Sequence, residues 1–157
     1  MDSRPTAAAE ERFAHTFHGS YTRAVDAKGR FALPFRMRQA GPDQSDEKYM
    51  VSRGADGSLS LQPYEIWIEN FNRLRREEPN RELRDYMRRM SADSFMVPVD
   101  AQGRVAVPPE RLAEHGIDKR ITVLGMGSYM ELYAPESLPA RGQDKARDEE
   151  YDNKFFR

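Results

Sequence analysis

The sequence predicts a mainly β protein with α-helices, built from two copies of one small unit. The motif V-D-A-K-G-R-F-A-L-P at 25–34 returns as V-D-A-Q-G-R-V-A-V-P at 99–108, and residues 54–65 also align with 125–136. Between the two copies, the apolar residues change from the alternation of strands to the spacing of helices. Because duplication places equivalent units in one chain, the simplest arrangement is a single domain with a pseudo-two-fold axis.

Each copy of the motif predicts the tip of a β-hairpin followed by a short helix. Gly29 and Gly103 lie in D-A-x-G-R turns between apolar runs, where glycine adopts a positive φ at little cost. Four residues after each arginine stands a proline, which lacks an N–H and is tolerated in the first turn of a helix. The repeated unit is therefore predicted to be strand, turn, strand and helix.

The N-terminal part of the chain divides into an extension and the first repeat. Residues 1–16 contain no long apolar run, so we expect a flexible N-terminal extension, not a signal peptide or membrane span. Residues 17–63 form the first repeat. This repeat is predicted to contain a hairpin at 17–33, a short helix at 34–40, a polar loop at 42–48 and a second hairpin at 49–61.

A helical connection at 64–93 is predicted to consist of two helices broken at Pro79. Apolar residues recur at helical spacing: Tyr64, Trp67, Phe71 and Leu74 in the first helix, and Leu83, Tyr86, Met87 and Met90 in the second. Arginines and carboxylates nearly balance on the outer faces, which is typical of a solvated, salt-bridged surface. The two stripes offer more apolar surface than a small domain covers, so part of it is expected between subunits.

The C-terminal part of the chain contains the second repeat and a tail. Residues 94–136 repeat the first unit, including a short helix at 108–115 and a second hairpin. Residues 137–157 form a highly charged C-terminal tail, which is expected to be flexible apart from one possible helical turn.

Composition and residue spacing argue against catalysis, metals and cofactors. Cysteine is absent, which excludes disulfides and thiolate chemistry and is compatible with a reducing cytoplasm. The histidines have no metal-ligand spacing. Asp26 and Asp100 do not resemble an aspartic-protease dyad, because alanine follows each of them and the nearby arginines favour the ionised form. We therefore expect no enzyme activity and no cofactor.

The charge distribution predicts that the first turn meets an anionic partner. The net charge of the chain is −1, but residues 20–40 carry five basic side chains against Asp26 alone, a local charge of +4. Residues 95–112 have no net charge. Candidate DNA contacts are therefore Arg30, which can hold a phosphate or a guanine edge, together with Lys28 and Arg23.

The sequence indicates structural roles for the second turn and for both aspartates. Gln102 replaces the lysine of the first turn, so Arg104 is more easily assigned to the fold than to DNA. Asp26 and Asp100 are interpreted as caps of the turn N–H groups, or as partners of the arginine four residues later. Gly103 is expected to shape the second turn.

Several motifs together resemble the MraZ family, over about residues 17–136. They are H-G-S-Y at 18–21, the two ten-residue motifs, E-I-W at 65–67, and the run from V-L-G to M-E-L-Y within 123–133. The resemblance implies a swapped-hairpin, AbrB-like β-barrel and a ring-shaped homo-oligomer, an octamer or similar. It also implies binding to repeated promoter boxes of the bacterial division and cell-wall genes, in a cytoplasmic, nucleoid-associated protein.

The DNA-binding motif implied by this resemblance falls on both turns. Its first copy comprises Asp26, Lys28, Gly29 and Arg30, and its second copy comprises Asp100, Gly103 and Arg104. A ring would present several basic turns on one face, so a nearly neutral chain could bind DNA by multivalency. The chain departs from the family in its longer N-terminal extension and in Gln102.

Two alternative functions stay open at this point. The first is a ring-shaped scaffold whose turns bind an acidic partner protein. The second is an AbrB-type antitoxin whose C-terminal tail captures a toxin, although the tail carries no apolar stripe.

Overall fold

The computed structural model describes residues 7–14, 16–34, 37, 48–138 and 145–156. The strands in chain order are β1 (Ser20–Ala24), β2 (Arg30–Ala32), β3 (Lys48–Arg53), β4 (Leu59–Pro63), β5 (Phe95–Pro98), β6 (Arg104–Ala106), β7 (Arg120–Gly125) and β8 (Met130–Tyr133). The helices are α1 (Ala7–Phe13), α2 (Tyr64–Arg75), α3 (Arg81–Asp93), α4 (Pro109–Ala113) and α5 (Lys145–Phe155), with a 3-10 turn at Pro135–Ser137. The predicted class, mainly β with α-helices, is confirmed.

The described strands form two antiparallel sheets that share one pseudo-two-fold axis. The larger sheet has the order β1-β7-β8-β4-β3-β5, and the smaller one pairs β2 with β6. Exchanging each strand for its counterpart in the other repeat reproduces both orders. Accordingly, Phe31 lies opposite Val105 at the centre of the small sheet. The duplication seen in the sequence is therefore also a symmetry of strand pairing.

The first hairpin of each repeat was predicted with the wrong pairing partner. β1 pairs with β7, so that Tyr21 lies opposite Val123, and β2 pairs with β6 of the other repeat. β5 likewise pairs with β3. Exchange between repeats lets Phe31 and Val105, each on a three-residue strand, enter one common core. The second hairpins, β3 with β4 and β7 with β8, are confirmed.

The exchanged strands agree with a swapped arrangement, but the expected closed barrel is not found. β1 and β5 stand at opposite ends of the six-stranded order, and β2 and β6 form a separate ladder. The described strands therefore make two open sheets. Closure would require ladder hydrogen bonds between the two sheets, and the described strands do not form them.

A single hydrophobic core contains residues of both repeats, as expected. Phe31, Leu33, Val105 and Val107 belong to one cluster and are 1%, 4%, 1% and 0% exposed. The larger sheet contributes fully buried side chains from both halves: Leu59, Leu61, Ile121, Val123, Met130 and Leu132. Each such side chain stabilises the fold by roughly 1.5–3 kcal/mol relative to exposure. The two repeats therefore depend on each other for burial.

The predicted connection of two helices broken at Pro79 is confirmed. α2 directly follows β4 and buries Ile66. α3 begins after Asn80, whose side-chain oxygen accepts a hydrogen bond from the backbone N–H of Leu83 at 2.7 Å. α3 has no fully buried residue, so its apolar side chains stay partly open to solvent.

The N-terminal segment differs from the flexible extension that was predicted. Ala9 and Phe13 of α1 are 1% and 6% exposed, and the ring of Phe13 stacks on Phe17. The backbone N–H of Ala9 donates to the Glu69 carboxylate of α2 at 3.2 Å. The reason is the four-residue spacing of Ala9 and Phe13, which places both side chains on one face of α1.

Other differences concern the tail and the first short helix. α5 extends over eleven residues where one turn was expected. The helix predicted at 34–40 and the loop at 42–48 lie largely outside the described residues, although Met37 is buried. The second short helix is confirmed as α4. Among the described helices, none is both long and apolar enough to cross a bilayer.

Gly29→Ala should destabilise the fold more than Gly57→Ala. Both glycines have a positive φ, 79° and 80°, so alanine is strained at either position by about 1–2 kcal/mol. A Cβ on Gly29 would also collide with the carbonyl oxygen of Val107 in the other repeat, whereas the described residues leave open space around Gly57. We expect about 1–3 kcal/mol of additional loss for Gly29→Ala. Urea unfolding of both variants measures the difference, and equal losses would contradict the close approach of the repeats.

Candidate nucleic-acid interface

The first D-A-x-G-R turn is organised by the carboxylate of Asp26. One carboxylate oxygen accepts hydrogen bonds from the backbone N–H groups of Lys28 and Arg30, both at 2.9 Å. The other oxygen accepts the Nε–H of Arg30 at 2.7 Å. Gly29 completes the turn by donating its N–H to the Asp26 carbonyl. The turn therefore holds the Arg30 guanidinium in one orientation.

The second turn repeats this geometry almost atom for atom. Asp100 accepts the backbone N–H groups of Gln102 and Arg104 at 2.9 Å, and the Nε–H of Arg104 at 3.0 Å. Gly103 donates to the Asp100 carbonyl. Both aspartates thus make the hydrogen bonds that a turn-capping role requires, and both bind their own arginine.

The same hydrogen bonds shift the titration of the two carboxyl groups. The backbone hydrogen bond from Arg30, helped by its side chain and by the Lys28 N–H, lowers the pKa of Asp26 from 3.8 to about 2 against the opposing effect of desolvation. The backbone hydrogen bond from Arg104 likewise lowers the pKa of Asp100. Both carboxylates are therefore ionised at neutral pH and neutralise part of the charge of the arginines.

Strand exchange brings the two turns into one surface. The N–H of Val107 donates to the Gly29 carbonyl at 3.0 Å, and the N–H of Leu33 donates to the Gly103 carbonyl at 3.0 Å. Arg30 and Arg104 stand at opposite ends of the β2–β6 pair. Two residue steps separate those ends, roughly 7 Å along a strand. Both arginines can therefore face the same ligand.

The two arginines are not equivalent. Arg104 binds its own Asp100 and also reaches Asp26 of the first turn, with Nη1 4.0 Å from the carboxylate. Arg30 is paired with Asp26 alone among the described residues, and its side chain is 36% exposed against 29% for Arg104. The terminal amino groups of Arg30 are therefore more available to an external anion.

Arg23 lies on β1 and not in the first turn, unlike Lys28, Gly29 and Arg30, the other DNA contacts predicted there. Its guanidinium lies over the ring of Tyr21, 5.4 Å from the ring centre, and donates to the carbonyl of Thr22. Tyr21 is two residues farther from the turn along β1. The structure therefore gathers Lys28, Gly29 and Arg30 in the first turn and leaves Arg23 on the neighbouring strand.

Two basic residues beside the first turn were missed in the sequence. The exchange of strands places the start of β7 against the end of β1, so that Arg120 lies opposite Ala24. Next to this pair, the N–H of Val25 donates to the Lys119 carbonyl at 2.8 Å. Lys119 and Arg120 are both exposed, and Asp118 precedes them. The adjacent basic residues were visible in the sequence, but their position depends on pairing between repeats.

The side chains of this surface are suited to binding an anion and not to catalysing a reaction. Four basic residues lie in the first turn or on the backbone that adjoins it, and we call them the basic turn surface: Lys28, Arg30, Lys119 and Arg120. The acidic residues Glu110 and Asp118 line a cavity beside the same turn. The equivalent end of the second repeat has Gln102 in place of Lys28. No cluster of three potential metal ligands occurs among the described residues. Phosphate is the anion that such a surface can hold by ion pairs and Arg hydrogen bonds.

Comparison with curated proteins gives several relatives that share one name. The chain is 35% identical to "Transcriptional regulator MraZ" of Thermomicrobium roseum over 130 residues, which cover 81% of this chain and 87% of the relative. It is 32% identical to the protein of that name in Lachnoclostridium phytofermentans over 82% of this chain and 88% of the relative. For Nitratidesulfovibrio vulgaris the identity is 33%, with coverage of 79% and 84%.

The chain belongs to the MraZ family. No family model matches the chain, so the membership rests on these relatives. The resemblance noted in the motifs is thereby confirmed. Because the relatives are named transcriptional regulators, the family is one of regulators and not of enzymes.

Acid should destabilise the wild-type protein through these two turns. Because the pKa of Asp26 is lower in the folded than in the unfolded state, its stabilising effect is complete above about pH 4 and lost toward about pH 2. Asp100 acts in the same direction. Asp26→Asn should therefore weaken the dependence of the urea midpoint on pH in this range. An unchanged pH dependence in the folded variant would contradict the assigned hydrogen bonds.

Proposed function

We propose that the chain is a sequence-specific DNA-binding transcriptional regulator that contacts DNA through the basic turn surface. The observation that carries this proposal is a hydrogen-bonded turn that contains Lys28 and Arg30 and adjoins the backbone of Lys119 and Arg120. The names of the relatives as transcriptional regulators support the same function. The relevant partner is double-stranded DNA, with the promoter of the protein's own gene as the first candidate.

The roles of the residues follow from their bonds in the turn. Asp26 fixes Arg30 through its Nε–H, which leaves the terminal amino groups to a phosphate or to the O6 and N7 atoms of guanine. Lys28, Lys119 and Arg120 supply positive charge to the phosphate backbone. Gly29 allows the close approach of the second repeat. Arg104, Asp100 and Gly103 serve mainly to hold the second turn.

A ring-shaped homo-oligomer explains how a chain of net charge −1 binds DNA. A single basic turn surface has few phosphate contacts, whereas several subunits place several such surfaces on one duplex. Exposed apolar residues support assembly: Tyr86 is 38% exposed, and Trp67 and Phe71 of α2 are only partly buried. Repeated promoter boxes with a spacing that matches the subunits would then be the DNA target.

The wider setting follows from the family resemblance. We propose that the targets include the promoter of the bacterial division and cell-wall gene cluster, in the cytoplasm and on the nucleoid. Residues 17–63 and 94–136 act as interlocked halves, with 64–93 as the helical connection. A ring-shaped scaffold without DNA binding is the alternative, and failure of a gel shift with the upstream DNA would favour it.

Arg30→Ala should lose more promoter binding than Arg104→Ala. Arg30 has one carboxylate partner and faces solvent, whereas Arg104 bridges two carboxylates. We expect a loss of about 1–3 kcal/mol of base discrimination per contacted site for Arg30→Ala. Arg104→Ala should mainly reduce stability. Gel shifts against a scrambled duplex measure this, after each variant has been shown to be folded and assembled. Equal losses would contradict the assigned asymmetry, and full binding by Arg30→Ala would refute the contact.

Lys28→Ala should weaken binding to every DNA sequence alike. A lysine that neutralises a phosphate contributes through counterion release, so its removal reduces the salt slope by roughly one unit per lost contact. Lys119→Ala should behave in the same way because its backbone adjoins the first turn. Arg76→Ala, at the exposed end of α2, is the matched control and should leave the slope unchanged. The measurement is the affinity between about 50 and 200 mM salt.

A further inference from the structure

A groove lies between the larger sheet and the connecting helices. It has a volume of about 550 Å³ and opens to solvent. Its apolar wall is formed by Trp67 and Phe71 of α2, whose rings stack at 5.0 Å with an interplanar angle of 15°, and by Tyr86 and Met90 of α3. The groove is large enough to accept aromatic side chains of another segment.

The rim of this groove is basic. Arg73 at the end of α2 and Arg53 at the end of β3 both line it, and both are exposed. Arg53 lies 4.0 Å from the Asp93 carboxylate, so part of its charge is balanced, while Arg73 has no salt bridge among the described residues. Glu131 lines the floor, but it is buried and accepts a hydrogen bond from Tyr133. A ligand bound at the rim would therefore contact arginine side chains beside the aromatic rings of the groove.

The C-terminal helix α5 ends in exposed aromatic side chains. Tyr151, Phe155 and Phe156 are 60%, 82% and 77% exposed, which is unusual for three aromatic side chains so close in sequence. Phe155 and Phe156 pack edge to face against each other at 5.1 Å. Lys154 lies over the Tyr151 ring at 5.0 Å, so the charge of this segment is mixed. The acidic residues Asp148, Glu149, Glu150 and Asp152 exceed the basic residues Arg147 and Lys154 in the same stretch.

Helical geometry combines these aromatic and acidic groups on one side of α5. Residues three and four apart share a face of a helix, so Asp148, Tyr151, Asp152 and Phe155 fall within one stripe. An aromatic and acidic stripe is complementary to an aromatic groove with an arginine rim. Exposed aromatic groups of this kind mark interaction sites more often than ordinary surface.

We propose that α5 of one subunit docks into the groove between the larger sheet and helices α2 and α3 of a neighbouring subunit. Tyr151 and Phe155 would lie against Trp67 and Phe71, and the acidic residues of α5 would face Arg73. The occupant is a second copy because the aromatic side chains of α5 are exposed in the chain that carries the open groove. The inference rests on the proposed assembly of several subunits and is independent of DNA binding.

Cross-linking between two single-cysteine variants tests this contact directly. The chain has no cysteine, so introduced thiols react without background. Asn70→Cys places a thiol in the groove, and Phe156→Cys places one at the end of α5. The two full-length variants, one of them tagged, are co-expressed and treated with a short bismaleimide. We expect a covalent dimer that contains one chain of each variant.

The control pair replaces the groove thiol with Met126→Cys, which is exposed but does not line the groove. This pair should give no mixed dimer. Absence of the mixed dimer with Asn70→Cys, or equal cross-linking in the control, would overturn the proposal. Cross-linking only when both cysteines are in the same chain would show that α5 docks within its own subunit, which would also overturn it.

Light scattering and tryptophan fluorescence provide a second test in the full chain. The double variant Phe155→Ser with Phe156→Ser should dissociate at a protein concentration at least about tenfold higher than the wild type, because interface aromatics contribute strongly to binding. Trp67, the single tryptophan, should emit at longer wavelength in the variant as its ring becomes hydrated. Met126→Ser should change neither property.

The outcomes separate this inference from the proposed function. A wild-type chain that is monomeric would refute both the assembly and the docking of α5. A wild-type oligomer that the tail substitutions leave intact, with unchanged emission and no mixed dimer, would refute the docking alone. Loss of assembly in the tail variant, with the turns and DNA contacts unaltered in sequence, would support it.

Discussion

The pairing of β2 with β6 is the constraint on which the rest of the structure depends. Each of these strands has three residues, too few to form a stable sheet within its own repeat. Paired across the pseudo-two-fold axis, they bury Phe31 and Val105 in a common core and bring the backbone of Gly29 against that of Val107. Core formation and the position of both turns are thus consequences of the same contact.

The two turns share the same hydrogen bonds but have different surroundings in the two repeats. In each turn an aspartate binds two backbone N–H groups and the Nε–H of an arginine, so the local geometry is conserved between the copies. The difference arises from their surroundings. Arg104 also approaches Asp26, while Lys119 and Arg120 adjoin the end of the strand that leads into the first turn. In the proposed function, the second turn would mainly serve stability and the first would bind DNA.

Much of this structure could be predicted because its causes are local. The turn glycines predicted the two turns, and Pro79 between two helical stripes predicted the two connecting helices. Both signals act over a few residues, and both predictions are confirmed. Pairing partners were not predictable in this way, since short apolar strands from either repeat suit either neighbour. The positions of Lys119 and Arg120 depend on that pairing. The burial of Phe13 depends on contacts such as its stacking on Phe17, which the polar composition of residues 1–16 concealed.

In the proposed arrangement, the turns would bind DNA and the connecting helices would take part in assembly. The small sheet and its turns carry the cations that suit a phosphate backbone, whereas α2 and α3 cover part of the larger sheet and leave an aromatic groove open. Because a chain with little net charge would need several copies to bind DNA strongly, the proposed assembly and the proposed DNA binding would be coupled in free energy. Assembly contacts on α2, α3 and α5 would leave both turns free. Each added subunit would then contribute another basic turn without covering those already present.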